Sequence, residues 1–238
     1  MTAVDTATSL VERIAEVRTR LTAAAQRSNR PADEITLVAV SKTHPAEAVR
    51  EALAAGLDNF GENRVQEAES KIPDVGRTAA RWHLIGHLQS NKARRAVELF
   101  DCIHSLDSAD LAQRLNRICG ELERQELPVL IQVDLGHETT KTGVAEQEIS
   151  ELVAVIRDCP RLRLIGLMTL PPFFDEPESV RPYFRRLREL RDGLKAKGAF
   201  GDHPGELSMG MTHDFEIAIE EGATIVRVGT AIFGERGT

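Results

Sequence analysis

Two hydrophobic periods alternate along the chain. Leu10, Ile14, Val17 and Leu21 fall at i, i+4, i+7 and i+11, one apolar stripe on a helix. Ser9 and Glu12 stand at capping-box spacing where that stripe begins. Leu111, Leu115, Ile118 and Leu122 repeat the spacing, Ile149, Leu152, Val153 and Ile156 make a third stripe, and Phe184, Leu187 and Leu194 a fourth. Between them lie apolar runs too short for helices, at 35–40, 58–61, 82–86, 102–106, 129–135, 162–170, 206–209 and 224–229. The runs at 58–61 and 206–209 are weak in themselves and rest on their place in the alternation.

Strands that alternate with helices predict a parallel sheet with both faces covered. Eight such units predict closure into a single (β/α)8 TIM-type barrel with an additional N-terminal helix. An open doubly wound sheet is the alternative. About eight residues follow the last run, too few for a full eighth helix, so the N-terminal helix is expected to cover the gap. No Gly/Ser linker divides residues 1–238, which read as one domain. The Pro-rich stretch 171–177 reads as a loop, because its prolines do not fit a helix interior. The polar stretch 136–143 reads as a mobile loop with no assigned role.

Composition narrows the class. Hydrophobic residues make up 42% but aromatics only 4%, so aliphatic side chains must build the core. A formal net charge of -7 argues against nucleic acid, whose binders carry a basic face. No apolar run approaches the ~18 residues of a membrane span, and the polar N-terminus has no signal core. Cys102, Cys119 and Cys159 are too few and too scattered for a disulfide framework or a zinc site. No metal is expected, and a reducing cytoplasm fits this usage.

Barrel enzymes place reactive groups at the C-terminal ends of strands, with phosphate frequently held by the loops after strands seven and eight. Here Ser208-Met209-Gly210-Met211-Thr212 follows the seventh run and a helix is expected from His213, while Gly229-Thr230 follows the eighth. Glycine lets backbone approach an anion, and a helix start turns free N–H groups toward it. A helix cap and a tight turn would use the same residues. Lys42 ends the first strand, after Leu37-Val38-Ala39-Val40-Ser41. In a dry site its amine is a nucleophile toward aldehydes; at a wet strand end it is a solvated cation. Arg227 lies within the last strand and shares a face with Ile225 and Gly229, where it is either paired with a barrel carboxylate, exposed, or one step below a bound phosphate. Asn63 follows the second run and either contacts a ligand or caps the next helix. Ser105 is similarly open. His83 and His87 read as core or loop residues, and Glu67, Glu69 and Lys71 as a solvated helix face.

These segments together resemble the pyridoxal phosphate homeostasis protein family. The likeness is carried by Val40-Ser41-Lys42-Thr43, by Phe60-Gly61-Glu62-Asn63, by Trp82-His83-Leu84-Ile85-Gly86 with Leu88-Gln89-Ser90-Asn91-Lys92, and by Leu207-Ser208-Met209-Gly210-Met211 with Asp214. It continues through Val226-Arg227-Val228-Gly229-Thr230 and runs from about residue 10 to the end. The resemblance implies a barrel like that of alanine racemase, with pyridoxal 5′-phosphate held as a Schiff base on Lys42. It implies Arg227 at the pyridine nitrogen, Ser208, Gly229 and Thr230 at the phosphate, and Met209 and Gly210 lining that loop, and Asn63 stands beside these as a cofactor-binding candidate of the residue reading. Arg64 stands where an aromatic is frequent and Asp134 where asparagine is common. The implied role is cofactor buffering or delivery without established turnover, with apo enzymes that use the cofactor as partners and a monomeric, cytoplasmic protein.

An amino-acid racemase is the competing reading, since the fold alone does not decide. Racemisation needs a base on each face of the carbanion, and alanine racemase supplies a tyrosine from a second domain. The sequence ends just after the eighth run, and its single tyrosine, Tyr183, falls in an expected outer helix. Arginine does not give up its proton, so Arg227 would leave the ring nitrogen neutral and weaken the electron sink. A Schiff-base aldolase would share Lys42 but not the long motif match.

Overall fold

The computed structural model describes residues 8–136 and 142–234. Residues 137–141 of the polar stretch expected to be a mobile loop lie outside them. The chain runs α1 (Leu10–Arg27), β1 (Thr36–Val40), α2 (Ala46–Ala54), β2 (Asn59–Glu62), α3 (Val65–Val75), β3 (Arg81–Leu84), α4 (Ala93–Leu99), β4 (Cys102–Leu106) and α5 (Ala109–Glu121). It continues through β5 (Leu127–Val133), α6 (Ile149–Arg157), β6 (Leu162–Thr169), α7 (Arg181–Ala196), β7 (Glu206–Ser208), α8 (Phe215–Glu220), β8 (Ile225–Val228) and α9 (Thr230–Phe233). The eight strands close into one parallel barrel in sequence order. The seam pairs β1 with β8, placing Val38 opposite Arg227 and Ala39 opposite Val228. The open doubly wound alternative is thereby excluded.

Two apolar layers result from strand alternation. Outward-facing strand residues such as Ala39, Phe60, Leu84, Ile103 and Val226 join the helix stripes in the larger core. Inside the barrel the apolar filling is sparse: Val38, Cys102, Leu130, Ile165, Met168 and Ile225. Polar side chains take up interior space beside them, with His83, His104, Ser208 and Arg227 all buried.

The gap before β1 is closed as its sequence requires. The capping box forms, with Ser9 N–H donating to Glu12 Oε2 at 2.8 Å and Glu12 N–H to Ser9 Oγ at 3.2 Å. Helix α1 then lies against α8 and the single turn α9. Arg13 Nε donates to Ile232 O at 2.7 Å, Arg20 pairs with Glu216 at 2.7 Å, and Arg27 with Glu220 at 2.8 Å. The stretch 171–177 is a loop up to its last residue, since Pro177 opens a short 3₁₀ turn to Val180. Helix α8 begins at Phe215, two residues later than expected, because Asp214 Oδ1 accepts the Met211 N–H and closes a turn first. No helix among the described residues is long and apolar enough to cross a membrane.

Two glycines test the packing from opposite sides. A Cβ on Gly166 would lie 2.1 Å from the carbonyl oxygen of Glu206 on the neighbouring strand, whereas one on Gly193 of α7 would meet nothing within 4 Å. Gly166→Ala is expected to destabilise the fold by ~1–3 kcal/mol or more through backbone displacement. Gly193→Ala should stabilise it by ~0.5–1 kcal/mol through helix propensity. Urea midpoints of the two variants, measured side by side, check both signs.

Candidate functional site

The C-terminal mouth of the barrel collects the reactive groups. Lys42 follows β1 in a turn closed by His44 N–H donating to Ser41 O at 3.1 Å. Thr43 takes a left-handed φ of 66°, unusual for a β-branched residue, and is held there by its N–H bonding Glu67 Oε2 at 3.0 Å. His44 stacks on Phe233 with ring centroids 5.0 Å apart. The turn is pinned on both sides, while half-buried Lys42 makes no hydrogen bond or ion pair among the described residues.

A buried ion pair lies directly under that turn. Lys71 Nζ donates to Glu62 Oε1 at 2.6 Å and to Ser41 O at 2.7 Å, and Ser41 Oγ donates to the same carboxylate oxygen at 2.7 Å. Lys71 therefore does not belong to a solvated face, contrary to expectation. The barrel turns it inward because α3 lays Ala68, Lys71 and Ile72 against the strands. Glu67 and Glu69 do lie toward solvent but are engaged, the latter with Arg95 at 2.9 Å. Burial pushes the Glu62 carboxyl up from its ordinary value, against the pull of Lys71, and its Oε2 has no partner.

Arg227 lies deeper, facing the barrel axis and 2% exposed. It has no carboxylate partner among the described residues. Its Nη1 donates to Ser208 Oγ at 2.6 Å and its Nη2 to Thr169 O at 2.9 Å. Burial draws its pKa down to about 10, with Asp214 acting the other way, so it stays charged at neutral pH. Ser208 was expected at the phosphate. Its hydroxyl is instead fully buried and committed to Arg227 and to His104 Nδ1, 2.9 Å away. Its register explains this, since Ser208 pairs with Met168 and Ile225, both interior residues.

Above Arg227 the backbone forms a small cradle. Gly210 has φ 89°, and a Cβ there would lie 2.5 Å from that of Ala218, so only glycine fits. Its carbonyl accepts the Arg227 N–H at 3.0 Å, which ties the loop after β7 to β8. The N–H groups of Gly229 and Ala231 reach Thr212 Oγ1 at 3.4 and 3.5 Å. Those contacts are at the long limit of hydrogen bonding, so the two donors are only loosely satisfied. Thr230 is exposed beside them, whereas the Met209 side chain turns away into the core between barrel and helices.

Asn63 is half-buried at the end of β2 and does not cap α3, whose N-cap is Arg64. It borders an open cavity of about 640 Å³ lined also by Arg64, Glu67, His87, Gln89 and Lys92. Gly86 is obligatory on that wall, because a Cβ would lie 2.2 Å from Asn63 O. Of the sequence-derived site residues only Asn63 lines this cavity, which lies over the ends of β2 and β3. Ser105 is structural, its Oγ donating to Gly86 O at 2.7 Å. Sequence reading passed over His104. Its signal was its place in β4, two residues from Cys102 and on the same inward face, in a strand buried throughout. His83, Cys102 and His104 offer ligand atoms within 4.8 Å of one another. All four ring nitrogens are already used in hydrogen bonds, and burial pushes the Cys102 thiol up to about 12.

The alanine racemase N-terminal domain family matches residues 13–237. A pyridoxal phosphate homeostasis protein of Escherichia coli strain K12 is 45% identical over 235 residues, covering 95% of this chain and 97% of that one. The chain belongs to the pyridoxal phosphate homeostasis protein family. A second member, from Aquifex aeolicus, is 44% identical over 94% of this chain and 97% of its own. The family member PipY of Synechococcus elongatus, solved without PLP, superposes with a TM-score of 0.84 at 40% identity, covering 95% of this chain and 100% of that one. The same protein with PLP bound superposes with a TM-score of 0.79. Alanine racemase of Corynebacterium glutamicum, at 21% identity and a TM-score of 0.65, shares the fold, and this chain covers 60% of it.

The buried histidines make stability depend on pH. Burial lowers His83 to about 4 and holds His104 well below 6.5. Above pH ~6.5 both rings are neutral whether folded or unfolded. As pH falls from ~6.5 toward 4, the unfolded chain gains protons that the fold excludes, so stability falls by on the order of 1 kcal/mol per pH unit per histidine. Denaturant midpoints taken between pH 7.5 and 4.5 should drop accordingly, and His83→Gln should show a shallower slope.

Proposed function

We infer that this protein binds pyridoxal 5′-phosphate at the barrel mouth and keeps it available, buffering it or delivering it to apo enzymes in the cytoplasm. The observation that carries this reading is a vertical order on one side of the barrel. An unpartnered Lys42 stands at the rim, loosely satisfied N–H groups of Gly229 and Ala231 lie beside it, and a charged Arg227 forms the floor. The order fits a ligand with an aldehyde, a phosphate and a ring nitrogen. The family relatives named for homeostasis of this cofactor, and the PLP-bound PipY at 40% identity, support the same assignment. Three buried, unpaired cysteines suit a reducing compartment.

When bound, the cofactor supplies an aldehyde that condenses with amines and a ring that can withdraw electrons. Lys42 offers the amine, and the pinned turn around it limits the positions that amine can take. The backbone N–H groups of Gly229, Thr230 and Ala231 would donate to the phosphate, with the Thr212 hydroxyl giving way or joining them. Arg227 would face the ring nitrogen as a donor and give it no proton, which would leave the ring a weaker electron sink. Asn63 borders the open side. Tyr183, the single tyrosine, lies on α7 against Phe174 with centroids 5.6 Å apart, in the outer layer rather than at the mouth. No tyrosine of this chain stands opposite Lys42, which favours a holder of the cofactor over a racemase.

Purified protein incubated with pyridoxal phosphate should show a visible-range absorption band that Lys42→Ala lacks. Borohydride reduction followed by peptide mass spectrometry should place the adduct on Lys42; an adduct on Lys92 instead would refute the assignment. A second measurement separates carrier from racemase. Loaded protein mixed with L- or D-alanine, serine or glutamate in deuterated water should show no turnover above ~1 per second, the low end of the ordinary enzyme range. Slow exchange from one face only is the expected residue of a single amine.

A further inference from the structure

Five side chains from five strands join end to end through the barrel interior. Asn59 Oδ1 lies 2.9 Å from His83 Nε2, His83 Nδ1 2.9 Å from His104 Nε2, and His104 Nδ1 2.9 Å from Ser208 Oγ. Arg227 Nη1 completes the line at 2.6 Å from the same Ser208 oxygen. At its far end the line reaches a cavity of about 160 Å³ at the N-terminal mouth, bordered by Asn59, Arg81, His83 and Cys102. Chemistry fixes the place of each proton. Arginine only donates, so Ser208 Oγ accepts from it and has one hydrogen to give. Asn59 Nδ2 donates to Asp58 Oδ1 at 2.7 Å, which turns its Oδ1 toward His83. His83 must then carry its proton on Nε2 and, being neutral, accept at Nδ1. His104 consequently donates from Nε2 and accepts the Ser208 hydroxyl proton at Nδ1. A different tautomer at either ring would set two donors or two acceptors face to face in a dry interior.

We propose that this line is a positioning device for Arg227. His104, acting through Ser208, holds the guanidinium at one angle to the ring nitrogen of the bound cofactor, and His83 and Asn59 hold His104 in the tautomer that permits it. His104 and His83 are positioning residues. The inference rests on the cofactor reading above and adds what sets the ring-nitrogen contact. Without the line, Arg227 would keep only its bond to Thr169 O and could pivot about it.

The test needs two readouts. In cofactor-free protein, long-range ¹H–¹⁵N spectra at neutral pH should report the Nε2–H tautomer for both His83 and His104; an Nδ1–H or doubly protonated His104 overturns the relay. In loaded protein the wild-type band is read first and tests cofactor binding; the variants' departure from it tests the relay. His104→Phe removes the acceptor and is expected to shift the band and weaken binding by about tenfold, the scale of one charge-assisted hydrogen bond. His104→Asn places an oxygen near the Nδ1 position and should restore the wild-type band. If His104→Phe does not fold, Ser208→Ala breaks the line at its next link and should give the same shift. Unchanged band and affinity in a folded His104→Phe or Ser208→Ala protein, with only a lower melting temperature, would reduce the line to a structural network and overturn the proposal.

Discussion

A charged guanidinium sealed inside a barrel is the constraint around which the rest of the interior is arranged. Removing Arg227 from water costs several kcal/mol unless its N–H groups are met. Among the described residues no carboxylate bonds it, and Ser208 Oγ and Thr169 O accept instead. Neutral acceptors leave the positive charge uncancelled and directed upward to the mouth. A salt bridge would have fixed the arginine but spent its field on the partner. The cost of the open charge is met by sparse apolar filling, since histidine and serine take up space that aliphatic side chains would fill in an ordinary barrel.

The second buried charge works differently. Glu62 and Lys71 are paired, and the pair is shared with the backbone and hydroxyl of Ser41. Removing one partner of such a pair leaves the other stranded, at ~3–5 kcal/mol. The arrangement therefore fixes the residue before Lys42 to both β2 and α3 and leaves Lys42 itself free. Rigid support under an amine with no partner among the described residues is what the proposed attachment at Lys42 would require.

The alternation of periods made the barrel legible, because closure needs only eight buried runs separated by amphipathic stretches. The stripes at 10–21, 111–122, 149–156 and 184–194 became α1, α5, α6 and α7. The shorter α2, α3 and α4 were not singled out; their buried faces rest partly on alanines such as Ala52, Ala68 and Ala96, which barely mark a hydrophobic period. At the site, position in the barrel placed Lys42 at the end of β1, Arg227 within β8 and the Gly210 and Gly229 loops after β7 and β8. Ser208 and Lys71 were misjudged for one reason. Sequence shows that a polar residue ends a strand or dots a helix, but whether it faces inward depends on register across neighbours, and β7 contributes only three residues to set that register. For His104 the sequence showed an inward-facing place in β4 but not its partners, which come from strands 21 and 104 residues away.

Carrying a reactive aldehyde and catalysing with it place opposite demands on the same floor residue. Catalysis on amino acids is helped by a protonated ring nitrogen, which a carboxylate provides and the proposed contact with Arg227 would not. Carriage needs the amine attachment, the phosphate grip and easy exchange with water and other amines. A half-buried Lys42 at the rim suits the last of these, where a racemase would close the mouth to protect its carbanion. Arg227 makes the barrel interior costly to build, and the line of Ser208, His104 and His83 beside it supplies the contacts that hold that uncompensated charge in place.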